Sequence, residues 1–158
     1  TDKAFATAYY HWFFLIQPAP FPETLISHDP EFFLHHKTGH WGRTKGAITD
    51  QAFGEYLRCF SNPATIHASC EDYRAAASID LDHDAADRGK KLAMPVLALW
   101  GDIGFVGKHY DVIGEWQNYA SHVEGQAIHG GHFLAEEAPD QTLEALTRFF
   151  TKTDPVCQ

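Results

Sequence analysis

Pro95-Val96-Leu97-Ala98-Leu99-Trp100-Gly101 decides the architecture of this chain. The run is continuously apolar, with proline before it and glycine at its end. That is the pattern of a parallel strand buried on both faces. Downstream, Val112, Trp116 and Tyr119 recur at helical spacing. Val123 to Ile128 reads as a second strand, weakened by Gly125, and His129-Gly130-Gly131-His132 as a loop. Pro139 opens a last helix with Leu143, Leu146, Phe149 and Phe150 on a buried face, and with Glu144 and Arg148 as an i, i+4 pair. The order β-α-β-α is the grammar of a parallel sheet covered by helices. Two such strands leave edges that need neighbours, and no third strong strand is evident outside part of residues 1–16. The sequence therefore predicts the end of a larger sheet.

Upstream the texture is helical. Asp29-Pro30 is an N-cap followed by proline at the first helical position, with Gly39 ending the pattern. Near Asp50 a second helix starts, carrying Phe53, Tyr56, Leu57 and Phe60 as one buried stripe. Asn62-Pro63 repeats the cap device ahead of Ile66, Cys70, Tyr73 and Ala77. The aromatic stretch from Ala4 to Ile16, followed by Pro18, Pro20 and Pro22, reads as a buried connection rather than a regular helix. Residues 80–91 are acidic and then basic and read as a solvated linker. Asp80, Asp82, His83 and Asp84 lack the calcium-loop signature. The expected organisation is a connection over 1–17, a helical cap over 18–91 and the C-terminal part of an α/β core over 92–158.

Composition narrows the function. Twelve Lys and Arg against 21 Asp and Glu in 158 residues give a net charge of −9. Such a chain suits neither nucleic acid nor an anionic membrane, and no apolar run has the length of a membrane span. Cys59, Cys70 and Cys157 are odd in number and lack C-x-x-C spacing, so no disulfide framework or zinc ribbon is expected, and a cytoplasmic setting fits. His35, His36 and His40 do not have zinc spacing and read as a polar helix face. The chain begins at Thr1 and its only methionine is Met94. A missing N-terminal segment is therefore expected, although removal of an initiator methionine alone would leave the same start.

His132 is the leading candidate for chemistry. It follows the second predicted strand on a glycine-flanked loop, and catalytic groups of open α/β sheets gather at strand C-termini. A histidine there is placed to act as a general base. Gly131-His132-Phe133-Leu134, Glu137-Ala138-Pro139 and Leu146…Phe149-Phe150 resemble the catalytic-histidine segment of the α/β-hydrolase superfamily, and Pro95–Gly101 resembles its penultimate strand. Tyr10-His11-Trp12-Phe13-Phe14 with Gln17-Pro18-Ala19-Pro20 and Pro22-Glu23 resembles the start of the cap in fluoroacetate (haloacetate) dehalogenases. Cys70-Glu71-Asp72-Tyr73-Arg74-Ala75 resembles the cap segment carrying that family's halide-pocket tyrosine.

The resemblance implies a fold, the C-terminal part of an α/β-hydrolase: helical cap plus last two β-α units. It also implies a reaction. An Asp nucleophile displaces halide from a haloacetate, and water activated by His132 hydrolyses the resulting ester to glycolate. His11, Trp12 and Tyr73 would bind the departing halide through N–H and O–H donors. Trp41 would line a substrate passage. No metal or organic cofactor is implied.

No Gly-x-Asp-x-Gly or Gly-x-Ser-x-Gly elbow occurs in these residues, so the chain alone is expected to be inactive. Many α/β-hydrolases place an acid three residues after the glycine ending the penultimate strand. Gly104 stands there, and Asp102 is the alternative acid. Expected partners are a haloacid, water, and a second copy or a missing N-terminal half. Two alternatives stay open: an epoxide hydrolase of the same fold, with Tyr73 as proton donor, and a non-catalytic remnant or interaction module.

Overall fold

The structure is a computed structural model and describes residues 2–152; Cys157 lies outside the described residues. The chain divides into two compact units, Thr1–Thr38 with Thr49–Arg88, and Gly39–Ile48 with Gly89–Gln158.

The first unit is all helical. It contains α1 (Lys3–Ala8), α2 (Tyr10–Leu15), α3 (Phe21–His28), α4 (Pro30–Trp41, with its last residues counted in the second unit), α5 (Asp50–Phe60), α6 (Pro63–Ala76) and α7 (Ile79–Ala86). Side-chain caps set the starts. Asp29 accepts the Phe32 N–H at 2.9 Å, Thr49 that of Ala52 at 3.2 Å and Asn62 that of Ala64 at 2.9 Å. Each satisfies an amide that the first helical turn leaves unpaired. Leu15, Ile26, Ile66 and Cys70 form the core, with Phe14, Phe33, Phe60 and Tyr73 packed around them.

Four local expectations are corrected here. Residues 4–16 lie in α1 and α2, where a segment without regular helix was expected. Asp2 caps the first helix by accepting the Phe5 N–H at 2.8 Å, Phe5 stacks on Tyr9 one turn later, and the prolines come only after α2 ends. Gly39 does not stop α4, because its φ is not in the left-handed region that terminating glycines use; Gly46 and Gly89 are the glycines that adopt it. Part of the expected linker is α7, whose first turn places Asp80 and Asp82 against the positive end of the helix dipole. The α5 stripe is only half-buried, with Tyr56 exposed.

The second unit holds a parallel pair, β1 (Val96–Gly101) and β2 (Val123–Ile128), registered from Val96 opposite Val123 to Gly101 opposite Ile128. Between them run two short helices, α8 (Phe105–His109) and α9 (Val112–Trp116). After β2 come α10 (Leu134–Glu137) and α11 (Pro139–Phe150). The sequence anticipated one helix between the strands and did not resolve α8 or α10. The apolar face of α11 also differs from expectation. Ala145 is its buried residue, whereas Leu143 and Phe150 are 65% and 76% exposed. Helical periodicity selects a face, but a two-stranded sheet is too narrow to cover it. Arg148 bonds Gln126 on β2 at 2.5 Å instead of pairing with Glu144. Among the described residues, no helix is long and apolar enough to cross a membrane.

Candidate functional site

In the helical unit, α2 presents His11 and Trp12 to Tyr73 on α6. The Tyr73 ring centroid lies 5.6 Å from His11 and 5.3 Å from Trp12, nearly perpendicular to both. His11 is buried, Tyr73 half-buried, and Trp12 keeps one side in solvent. Edge-to-face contact fixes the three rings against one another. Burial, with help from Asp72 and Tyr9, pushes the Tyr73 phenol above its ordinary pKa, so it stays a proton donor at neutral pH.

Behind this cluster, Arg74 donates to the Gln17 carbonyl at 2.9 Å, to Glu23 at 2.8 Å and to Glu71. Among the described residues, Glu23, His67 and Glu71 are the group with metal-ligand proximity. The guanidinium of Arg74 already occupies two of its carboxylates, which disfavours a cation there. His35, His36 and His40 do not form such a group: His35 stacks on Phe53, and His36 lies 6.0 Å from the Tyr10 ring. Sequence reasoning missed Lys37. It is 6% exposed, with its ammonium 4.2 Å from the Tyr10 ring centroid and 5.3 Å from that of Phe33. Burial lowers its pKa to about 8.

In the second unit, His132 stands on the loop after β2, as its position in the sequence predicted. Its backbone N–H donates to the Trp41 carbonyl at 3.1 Å, and the Trp41 ring lies 5.2 Å from the imidazole. Phe133 packs edge-on at 5.1 Å. These rings pack against the imidazole, although His132 as a whole stays exposed. The desolvation holds its pKa below the ordinary value, partly offset by the charge of Glu137. A neutral imidazole at pH 7 can accept a proton, as a general base must.

The loop itself is closely tied. A side chain on Gly131 would run within 2.6 Å of the Trp41 carbonyl oxygen, and one on Gly101 would collide with the carbonyls of Gly130 and Gly131. Asp102, the alternative acid, bonds His129 at 3.0 Å and accepts the Gly130 N–H at 3.2 Å. The His129 bond, more than any other contact, keeps its carboxyl below the ordinary range. Asp102 is thus engaged with His129.

A parallel strand pair, a histidine on the loop that follows it and a helical unit upstream fit the α/β-hydrolase fold. The chain belongs to that superfamily and carries the C-terminal part of its fold. It is 35% identical over 151 residues to a fluoroacetate dehalogenase from Burkholderia sp, covering 95% of this chain and 50% of that protein. It is 32% identical over 129 residues to a soluble epoxide hydrolase from Corynebacterium sp. (strain C12), covering 80% and 43% respectively. The solved structure of ALR0039 from Nostoc sp PCC 7120, provisionally described as an α/β hydrolase, superposes with a TM-score of 0.93 at 54% identity, covering 97% of this chain and 53% of that one. The chain thus spans about half the length of the relatives it matches. No protein-family model matches it.

Proposed function

We propose that this chain supplies the general base and the leaving-group pocket of a hydrolytic dehalogenase acting on fluoroacetate or a related haloacetate. The observation that carries this reading is the convergence of His11, Trp12 and Tyr73, three hydrogen-bond donors from two helices, at ring distances below 6 Å. Donors aimed at a departing halide stabilise the charge that builds on it. The similarity to a protein named fluoroacetate dehalogenase supports the same reading.

No Gly-x-Asp-x-Gly nucleophile elbow occurs in these 158 residues, so the nucleophile is assigned to another segment. In the proposed reaction an Asp carboxylate attacks the α-carbon, forming an ester and expelling halide into the pocket. His132 then takes a proton from water, and the resulting hydroxide attacks the ester carbonyl; the tetrahedral intermediate expels the alkoxide, which takes the added hydroxyl's proton and leaves as glycolate while the carboxylate is regenerated, and His132 releases its proton to solvent. Residues 18–91 serve as the cap domain of the completed enzyme, and Trp41 lines its substrate passage. A second copy or the nucleophile-bearing half is the proposed protein partner.

The specific observation favouring a second reading is Tyr73 itself. A phenol kept protonated can donate to an epoxide oxygen, and one relative is named an epoxide hydrolase. Fluoride-electrode assays on fluoroacetate and diol assays on styrene oxide separate the two, using this chain joined to its nucleophile-bearing segment. Fluoride release supports the dehalogenase. Diol formation without fluoride overturns it in favour of the epoxide hydrolase. Neither product means a non-catalytic remnant or interaction module. The 158-residue chain alone is expected to release no fluoride.

A further inference from the structure

Glu137 receives more backbone hydrogen bonds than its place at the end of a short helix requires. Its Oε2 accepts the N–H groups of Arg43 at 2.7 Å, Thr44 at 2.9 Å and Gly131 at 3.0 Å. Its Oε1 accepts the Phe133 N–H at 3.0 Å. Capping of α10 accounts for the Phe133 bond alone. The others join the segment after Trp41 to the loop of His132, far apart in sequence. Burial raises the Glu137 carboxyl, but the four amides outweigh it and hold it below the ordinary range, so it is ionised at neutral pH. Charge-assisted bonds of this kind are roughly twice as strong as neutral ones.

We propose that Glu137 is a positioning residue, whose carboxylate clamps residues 43–44 to the His132 loop and so holds the Trp41 indole against the His132 imidazole. Within that arrangement each amide from Gly130 to Phe133 has an acceptor: Asp102, Glu137, the Trp41 carbonyl and Glu137 in turn. The loop is thereby fixed at both flanks of His132. The catalytic meaning of the clamp rests on His132 being the base. The clamp itself does not.

The test is an NMR study of the chain. In the native protein the amides of Arg43, Thr44, Gly131 and Phe133 lie outside the strands, yet should exchange with solvent as slowly as those of the β1–β2 pair. Rapid exchange at these four positions overturns the clamp without any variant. In Glu137→Gln their exchange should accelerate about tenfold or more, and the Trp41–His132 ring contacts should be lost. The His132 titration then discriminates between roles. If Glu137 acts only through its charge, removing it lowers the His132 pKa further. If it positions Trp41, the re-solvated imidazole titrates higher, and Trp41→Ala in the same background adds nothing. An unchanged or lowered His132 pKa overturns the proposal. None of these readouts needs haloacetate turnover. A completed enzyme that releases no fluoride while they hold would overturn the proposed reaction and leave the clamp standing.

Discussion

Trp41 meets His132 twice: the His132 backbone N–H donates to the Trp41 carbonyl at 3.1 Å, and the Trp41 indole lies 5.2 Å from the imidazole. The same residue bonds the loop and packs on the ring. The tuning of His132 therefore depends on a residue far upstream in the chain.

Replacing Trp41 with alanine should raise the His132 pKa toward its ordinary value, because desolvation is the main cause of the depression. In the proposed reaction the base works in its neutral form, so the acidic limb of the completed enzyme's pH–rate profile should move to higher pH. Linkage gives an independent sign. The folded pKa lies below the unfolded one, so between them the unfolded chain binds more protons and stability rises with pH. That rise should flatten in W41A. NMR titration and urea unfolding across pH 5–7 read the two effects.

The sequence made the β1–β2 pair, the His132 loop and the cap helices legible because each rests on local signals: an apolar run between Pro95 and Gly101, glycines beside a histidine, and Asn62-Pro63 as a start. It named His11, Trp12 and Tyr73 through resemblance, and the structure brings these three together. It missed the grouping of residues 39–48 with the C-terminal unit, and with it the Glu137 contacts, because bonds to backbone amides leave no residue pattern at the amide end. Lys37 escaped for a related reason. A lysine at a helix face reads as solvated until the rings of Tyr10 and Phe33 are known to cover it. The exposed face of α11 shows the opposite failure, a correct period without a surface to bury against.

Lys37 should make the chain more stable in alkali than at neutral pH. Its folded pKa of about 8 lies below the ordinary 10.5, so the unfolded chain binds more protons between these values and unfolding free energy rises through that window. Lys37→Met should remove this rise. Because tyrosines also titrate above pH 9, the difference between native and variant urea midpoints at pH 7 and pH 10 is the measurement. A pH-independent difference would exclude the buried ammonium as its source.

Arg74 should matter more than a surface arginine. It is 16% exposed beside Glu23 at 13%, and it also holds the Gln17 carbonyl just past α2. Burial pushes the Glu23 carboxyl up, yet Arg74, with a smaller share from His67, brings it below its ordinary 4.5. Arg74→Met leaves a buried carboxylate without its cation and should cost about 3 kcal/mol at pH 7. The pair's contribution is present above pH 4.5 and is lost as pH falls through the depressed folded pKa, so the deficit should shrink in acid. Glu23→Gln in the same background should recover part of it. Denaturant titrations of the two variants at pH 7 and pH 4 test this.

Tyr73 carries the most direct consequence for chemistry. Tyr73→Phe keeps the ring that packs on His11, Trp12 and the Leu15–Ile26–Ile66–Cys70 core, and deletes only the donor. Circular dichroism and thermal stability should therefore stay near native. In the completed enzyme, fluoride release from fluoroacetate should fall on the order of a hundredfold in kcat, the usual cost of removing one preorganised donor from a developing charge. Chloride release from chloroacetate should fall less, because chloride spreads its charge over a larger ion and needs the donor less. Parallel halide-release assays on the two substrates give the ratio. Equal losses on both would mean that Tyr73 serves packing or substrate binding, and the halide pocket would then rest on His11 and Trp12 alone.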